Sequence, residues 1–538
     1  MKTRNGRISD ASTNCESGGI RRTPNASRCK RACGIWRSLW SARHPGAFEV
    51  SDILGSTPVA ILSGAIVLLL FGCAVGPDYK RPAVDTPSAY RRAATDTNAP
   101  SGPKSFADLG WWDIYDDPQL KSYIAEALTN SYDIKIAAAR VLQAAAVAQV
   151  TRSQFFPTVN GGGDLFTTRT SERGPTPVPP GTKPQVEFGD LFLTMPAYEV
   201  DLWGRIRRAN EAARARLLAT VDAQQTVRQT LVFDVASAYL RLLELDLELE
   251  IGQRSYVSRT NGLEINISRQ EGGVASLADV YQSKVLVAQA ETSIVRTLRL
   301  IEQTENEVNI LLGRNPGKVA RGIPLVQQKL RASVPPGLPS SILERRPDIR
   351  AAEEQLVAAN ADIGQAKAAF FPQVTLTGLY GHQTVSLGDL FTGPSRTWQF
   401  GPSVTMPFFT GGRLRGQYKL AKAQFEETLA SYKQTVQGAF RDVSDGLISY
   451  QRSQEFTEKQ TELTQANRDA ADLANIRYIG GVTSYLEVLF NEQQLLDSEL
   501  RLAEAQLEEF LSVVQLYRAL GGGWQMSGPQ QVTANSKH

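Results

Sequence analysis

Trp398-Gln399-Phe400-Gly401-Pro402-Ser403-Val404-Thr405-Met406-Pro407-Phe408 alternates large apolar residues or proline with polar or small ones. Strict period two gives a strand one apolar and one polar face. A length near ten residues with an aromatic at either end suits a strand that crosses a bilayer. The other reading is a half-buried strand of a soluble sandwich. Upstream, Val374-Thr375-Leu376-Thr377-Gly378-Leu379-Tyr380 opens a preceding strand, and a turn-rich piece through Gly388 and Gly393-Pro394 joins the two. The first half of the chain has an analogous pair, Thr158 to Thr170 and Val186 to Asp201. A Pro/Gly-rich loop links them (Gly174-Pro175-Thr176-Pro177-Val178-Pro179-Pro180-Gly181), suited to exposure at a surface.

Long helices follow each strand pair. Between Pro196 and Pro316 lie 119 residues without proline, and between Pro407 and Pro529 lie 121. Both runs are rich in Ala, Leu, Glu, Gln and Arg, which favour helix. Each is interrupted near its middle by a glycine pair, Gly272-Gly273 or Gly480-Gly481. The pattern predicts two long antiparallel helices joined by a tight turn in each half. The stretch from Gly204 to Gly272 gives roughly 100 Å of helix at 1.5 Å per residue. Leu231, Val235, Ala238, Leu242, Leu245 and Leu249 trace a coiled-coil seam along it. Helices of that length belong to a rod or a tube.

The two halves are copies. Phe155-Phe156-Pro157 recurs 215 residues later as Phe370-Phe371-Pro372, and Leu312-Gly313 recurs 208 residues later as Leu520-Gly521. The repeat is too long for a solenoid unit. The change of offset leaves seven extra residues in the first strand–loop–strand region, most simply in its Pro-rich loop. A shorter helix precedes each marker: one near 118–154, the other starting at Arg345-Arg346-Pro347-Asp348-Ile349-Arg350, and both are expected to run without interruption to the Phe-Phe-Pro. Four strands cannot close a barrel, and an open edge in lipid leaves backbone groups unsatisfied. The chain should therefore oligomerise, three copies giving twelve strands. The fold class is mainly α with transmembrane β.

Net charge is +3, but residues 1–72 alone contribute +6 and the remainder −3. A nucleic-acid role built on basicity therefore fails. Val59 to Phe71 forms a thirteen-residue, largely apolar core ahead of Gly72-Cys73, too short to span comfortably and suited to a signal peptide. Leu70-Phe71-Gly72-Cys73 resembles a lipoprotein cleavage box, with Phe71 bulkier than usual; a buried cysteine after a core helix is the alternative. Ala74, in place of an aspartate, points to the outer membrane. More than fifty residues precede the apolar core, from a start assigned too far upstream or a true extension. Cys15, Cys29 and Cys33 lie there without zinc-ligand spacing. After Cys73, prolines 77, 82, 87, 100 and 103 mark an extended tether. The domains read as leader 1–72, lipid-anchored tether 73–110, first repeat 111–320, second repeat 321–524 and tail 525–538.

Several motifs occur together: Cys73-Ala74-Val75-Gly76-Pro77-Asp78-Tyr79, Trp111-Trp112, Asp201-Leu202-Trp203-Gly204-Arg205, Arg345 through Glu353, Phe370-Phe371-Pro372 and Tyr485-Leu486-Glu487-Val488-Leu489. Their order resembles the TolC-like outer-membrane efflux factors, in the NodT-type lipoprotein branch serving resistance–nodulation–division (RND) pumps. The resemblance covers Cys73 to about Trp524. It implies a homotrimer with a β-barrel in the outer membrane, a periplasmic α-barrel, a lipid on Cys73, and docking to a periplasmic adaptor and an inner-membrane RND pump. No other cofactor or metal is expected.

Mechanism in such a protein is gating. The turns at Gly272, Gly273, Gly480 and Gly481 would form the closed periplasmic end. Asp279 and Glu487 occupy equivalent places in the repeats. They read either as acidic rings that set ion selectivity or as solvated helix-face residues. Arg477 and Tyr478 would supply closing hydrogen bonds, Leu486 an apolar constriction, and Phe490 a plug where this family often carries a second acid. An enzyme is disfavoured. The histidines are His44, His382 and His538, and no Gly-x-Ser-x-Gly or Walker-type loop is present. A channel for type I protein secretion would share the fold, and a coiled-coil envelope scaffold is the remaining alternative.

Overall fold

A computed structural model of the chain describes residues 74–87, 114, 116–175, 178–329 and 341–522. The leader, Cys73, Trp111-Trp112 and the tail 525–538 lie outside the described residues. Two copies of one pattern follow in order. The first has α1 (Pro118–Asn130), α2 (Tyr132–Ser153), β1 (Asn160–Arg169), β2 (Gln185–Val200), α3 (Arg205–Glu271) and α4 (Leu277–Leu311). The second has α5 (Ile342–Arg345), α6 (Pro347–Ala368), β3 (Gln373–Thr384), β4 (Arg396–Thr405), α7 (Arg413–Ile479) and α8 (Tyr485–Ala519). The duplication is quantitative: α2 and α6 both have 22 residues, α3 and α7 both 67, α4 and α8 both 35.

Three expectations are corrected. The first short helix is broken at Ser131, whose extended backbone (ψ 137°) lets its hydroxyl accept from the Asp133 N–H and start α2 afresh. The break is occupied from outside: a Cβ on Gly313 would stand 2.7 Å from the Asn130 carbonyl oxygen. The last strand ends at Thr405 rather than Phe408. Pro407 has no N–H to offer a ladder. Finally, the extra residues of the first hairpin are not confined to its loop. The loop at 170–184 is only four residues longer than that at 385–395, and β2 extends well beyond its counterpart. Part of that length is a bulge between Met195 and Tyr198, where Pro196 cannot pair.

The strands form one antiparallel sheet in the order β1-β2-β3-β4. Leu193 sits opposite Tyr380, and Tyr380 opposite Trp398. This row of large apolar side chains, with Phe400 and Val404, lies exposed, as a lipid-facing band requires. Both outer edges, β1 and β4, are unpaired among the described residues.

The helical half is built around α3, which packs against α2 and α4 of its own repeat and α6 and α8 of the other. The coiled-coil seam is buried as its spacing predicts: Leu231, Val235, Ala238, Leu242 and Leu245 form one core with Tyr123, Ile124 and Val308. At the head of α1, the buried Asp117 carboxylate accepts from the Gln119 and Ile323 N–H groups and from Tyr239 Oη. That contact pins the entry of the first repeat to its exit loop.

Candidate functional site

The tips of the two helical hairpins are built alike. Gly273 and Gly481 adopt φ of +77° and +73°. The following N–H groups, of Val274 and Val482, bond back to the carbonyls of Arg269 and Arg477 at 2.9 Å. This pairing terminates a helix with a left-handed residue. Gly272 and Gly480 have ordinary negative φ, so only the second glycine of each pair is required by backbone conformation.

Asp279 and Glu487 fall at the third position of α4 and α8, but the repeats use them differently. Asp279 closes a capping box with Ser276, accepting from its N–H at 2.9 Å. Glu487 turns to its own hairpin, accepting from Arg477 Nη1 at 2.9 Å and from the Thr483 hydroxyl. Both stay at the solvent side, with their charges engaged within one chain. Leu486 and Phe490 are 65% and 63% exposed. Their counterparts in the first repeat are Ala278 and Gln282, so only the second hairpin carries this apolar pair.

Tyr478 is buried and reaches across to the first hairpin. Its hydroxyl donates to Asn266 Oδ1 at 2.7 Å, Asn266 Nδ2 donates to Ser283 Oγ at 2.7 Å, and Ser283 Oγ donates to the Asp279 carbonyl at 2.8 Å. The Arg269 guanidinium lies 4.7 Å from the Tyr478 ring, and Tyr485 packs on that ring at 5.1 Å. Burial pushes the Tyr478 and Tyr485 phenols above their ordinary value, so both are neutral donors at neutral pH. Asn266, Ser283 and Arg269 are absent from the sequence-derived set. A signal for the first two existed: they stand six residues before and seven residues after the 272–276 turn, on facing sides of one hairpin.

At the opposite end, the motifs that are scattered in sequence converge on the strand-to-helix junction. The Asp201 carboxylate accepts from the first N–H groups of α3, those of Ile206 and Arg207. Trp203 Nε1 donates to the Pro372 carbonyl at 2.7 Å, and its ring stacks on Phe371. Residues 74–87 form an extended strap along this junction. Val75 N–H donates to the Trp203 carbonyl at 2.9 Å, Asn360 Nδ2 to the Pro77 carbonyl at 2.9 Å, and Arg208 Nη2 to Asp78 at 2.7 Å. Gly76, Gly204 and Gly364 make room, since a Cβ on any of them would press into the facing chain at 3.0 Å or less.

Residues 123–314 and 338–522 match the family described as outer membrane efflux protein. Over 484 residues the chain is 35% identical to the toluene efflux pump outer membrane protein TtgF of Pseudomonas putida, covering 88% of this chain and 99% of that one. It is 33% identical to the outer membrane protein OprJ of Pseudomonas aeruginosa over 463 residues, 85% of this chain and 95% of that one. Among solved structures, the open state of the Neisseria gonorrhoeae MtrE outer membrane channel superposes with a TM-score of 0.74 at 30% identity, covering 84% of this chain and 98% of that one.

Proposed function

The chain belongs to the outer membrane efflux protein family, and from that premise we propose that it is the outer-membrane channel of a tripartite efflux system. Its role is conduction of small toxic solutes or drugs, without bond-making. The observation that carries this is a four-stranded sheet with two open edges, continuous with two equal helical hairpins. Three copies close the edges into twelve strands, and the hairpins prolong the barrel as a periplasmic tube. Cys73 carries the lipid, one residue before the strap that enters the junction. The hairpin tips face a periplasmic adaptor and an inner-membrane RND pump. Because TtgF is named for toluene efflux, aromatic solvents are the first cargo to test. A strain lacking this protein is expected to lose tolerance to toluene or to members of a drug, dye and metal panel. Unchanged tolerance to every compound would overturn the efflux role.

The resting channel is closed at its tips, and Tyr478 is the latch between hairpins. Opening requires the hairpin ending in Tyr478 to separate from Asn266, a shift that adaptor binding favours by contacting the separated state. Tyr478→Phe removes the donor and leaves the buried Asn266 oxygen unsatisfied, a cost of ~1–3 kcal/mol to the closed state. Reconstituted in planar bilayers, this variant is expected to conduct more often and at a higher level than the parent. Identical closed dwell times would remove Tyr478 from the gate. The Arg477–Glu487 pair is exposed and bridges one hairpin, so its loss should alter selectivity more than closure.

A further inference from the structure

Resting on the channel reading above, we propose that the conduit carries a recognition patch for aromatic cations near its outer end. Phe166, Phe188 and Phe192 form it together with Asp164 and Asp190. Successive side chains of a strand point to opposite faces. The exposed apolar row through Leu193, Tyr380 and Trp398 marks the lipid side, so residues one step out of phase line the conduit. On β3 and β4 these include Thr375, Thr377, Gln383, Thr397, Gln399 and Ser403, as a water-filled interior requires. No charged or aromatic residue of these two strands shares that face.

The first hairpin departs from that rule. In the register of β1 and β2, Asp164 stands opposite Asp190 and Phe166 opposite Phe188, and Phe192 follows on the same face. The Phe166 and Phe188 rings lie 4.9 Å apart, and Phe166 is 51% exposed. Phe192 is flanked by Gly162 on β1 and Gly381 on β3. A Cβ on Gly381 would stand 2.5 Å from the Phe192 ring, so glycine is what lets that ring lie across the neighbouring strand. The patch sits near the outer end of the sheet, since Asp190 pairs with Gln383 and β3 ends at Thr384.

Charge decides what this patch takes. Asp190 accepts from the Asp164 N–H at 3.0 Å, but like charges set directly opposite repel. Arg169, the one basic residue of β1 and β2, points to the lipid side. The counter-charge is therefore left to whatever passes through the conduit. A compact inorganic cation would satisfy the carboxylates and leave three rings facing water. A neutral aromatic would use the rings and leave the carboxylates repelling. A cation with an aromatic body uses both, stacking ring on ring and setting its charge against carboxylate and ring face. The second hairpin has neither feature, so three copies present three such patches around one lumen, where lining charge selects the sign of the solute.

From Cys73 onward the sequence has no other cysteine, so one engineered thiol can report on the wall. Gln383→Cys stands in the row of Asp164 and Asp190, Thr397→Cys in the row of Phe192, and Leu193→Cys on the lipid side. Each is alkylated in isolated outer membranes with a small, neutral, water-soluble maleimide. Gln383→Cys and Thr397→Cys are expected to react and Leu193→Cys to resist. Tetraphenylphosphonium should slow the two lumenal reactions ~3–10-fold. Tetraethylammonium, which has the charge without rings, and tetraphenylborate, which has the rings with the opposite charge, should leave them unchanged. Adding Asp164→Asn with Asp190→Asn, or separately Phe188→Thr, should abolish the protection. Lumenal labelling that tetraphenylphosphonium does not slow, equal protection by either control ion, or protection that survives both sets of substitutions overturns the patch and leaves the conduit standing. Resistance of both lumenal thiols while Leu193→Cys reacts overturns the channel reading itself.

Discussion

Glu244→Gln is expected to abolish the share of the stability loss between about pH 5 and about pH 8 that this one carboxyl causes. Glu244 lies on α3 with none of its surface exposed, and neither carboxylate oxygen has a hydrogen-bond donor among the described residues. Burial is the main force on it, followed by the neighbouring Glu248 carboxyl and the charge of Glu504; Arg241, at 3.3 Å, offsets only part of this. Its pKa is pushed up to about 8 from an ordinary 4.5. The sign follows directly. The unfolded chain gives up this proton at the lower value and the folded protein keeps it to the higher one, so stability is fully present below the lower value. It falls as pH climbs toward the upper value. Glutamine has the same shape and no charge to desolvate. At pH 8 the variant should be more stable by on the order of 3 kcal/mol, one pKa unit being ~1.4 kcal/mol. Thermal unfolding of parent and variant across this pH range checks it, and parallel slopes in the two proteins would refute the assignment.

Gly364→Val is expected to evict the strap. Any Cβ at this position lies 3.0 Å from the Arg208 side chain and from the Val75 carbonyl oxygen, closer than packed atoms tolerate. A branched side chain would have to displace residues 74–78 or push α6 off α3. Overpacking of this kind costs ~1–3 kcal/mol. Losing the strap also leaves Arg208, which is nearly buried, without Asp78. Trypsin reports the outcome, because the Lys80–Arg81 bond lies in the strap, while Pro82 blocks cleavage after Arg81. The parent should resist cleavage there, Arg81 being held by Glu353, whereas the variant should be cut rapidly while its helical body stays whole. Equal resistance in both proteins would show that the slot has room to spare.

Much of this architecture was legible before any coordinates. The offsets of 215 and 208 carried the equality of the repeated helices, proline spacing carried their extent, and glycine pairs marked both turns. Those features are local. A residue's propensity, or the period of its neighbours, suffices to set them. The break at Ser131 was not legible, because α1 and α2 form one continuous helical pattern. What separates them is a loop almost two hundred residues away, where Gly313 closes on Asn130.

The candidate gate divides the same way. Sequence placed Asp279 and Glu487 at matching positions, and both are the third residue of their helices. It had no means of showing that one caps a helix while the other pairs with Arg477. Tyr478 was singled out, but its partner Asn266 is 212 residues away. Glu244 gave no sign at all: its counterpart in the second repeat is Arg452, an exposed residue paired with Glu455. One repeated position is buried within the chain and the other is exposed. The amino-acid sequence by itself determined the four long helices, their lengths, their duplication and the alternation that faces lipid. Only the tertiary structure decided which helix faces are covered, because burial depends on how two rods are set against each other, and no local pattern encodes that register.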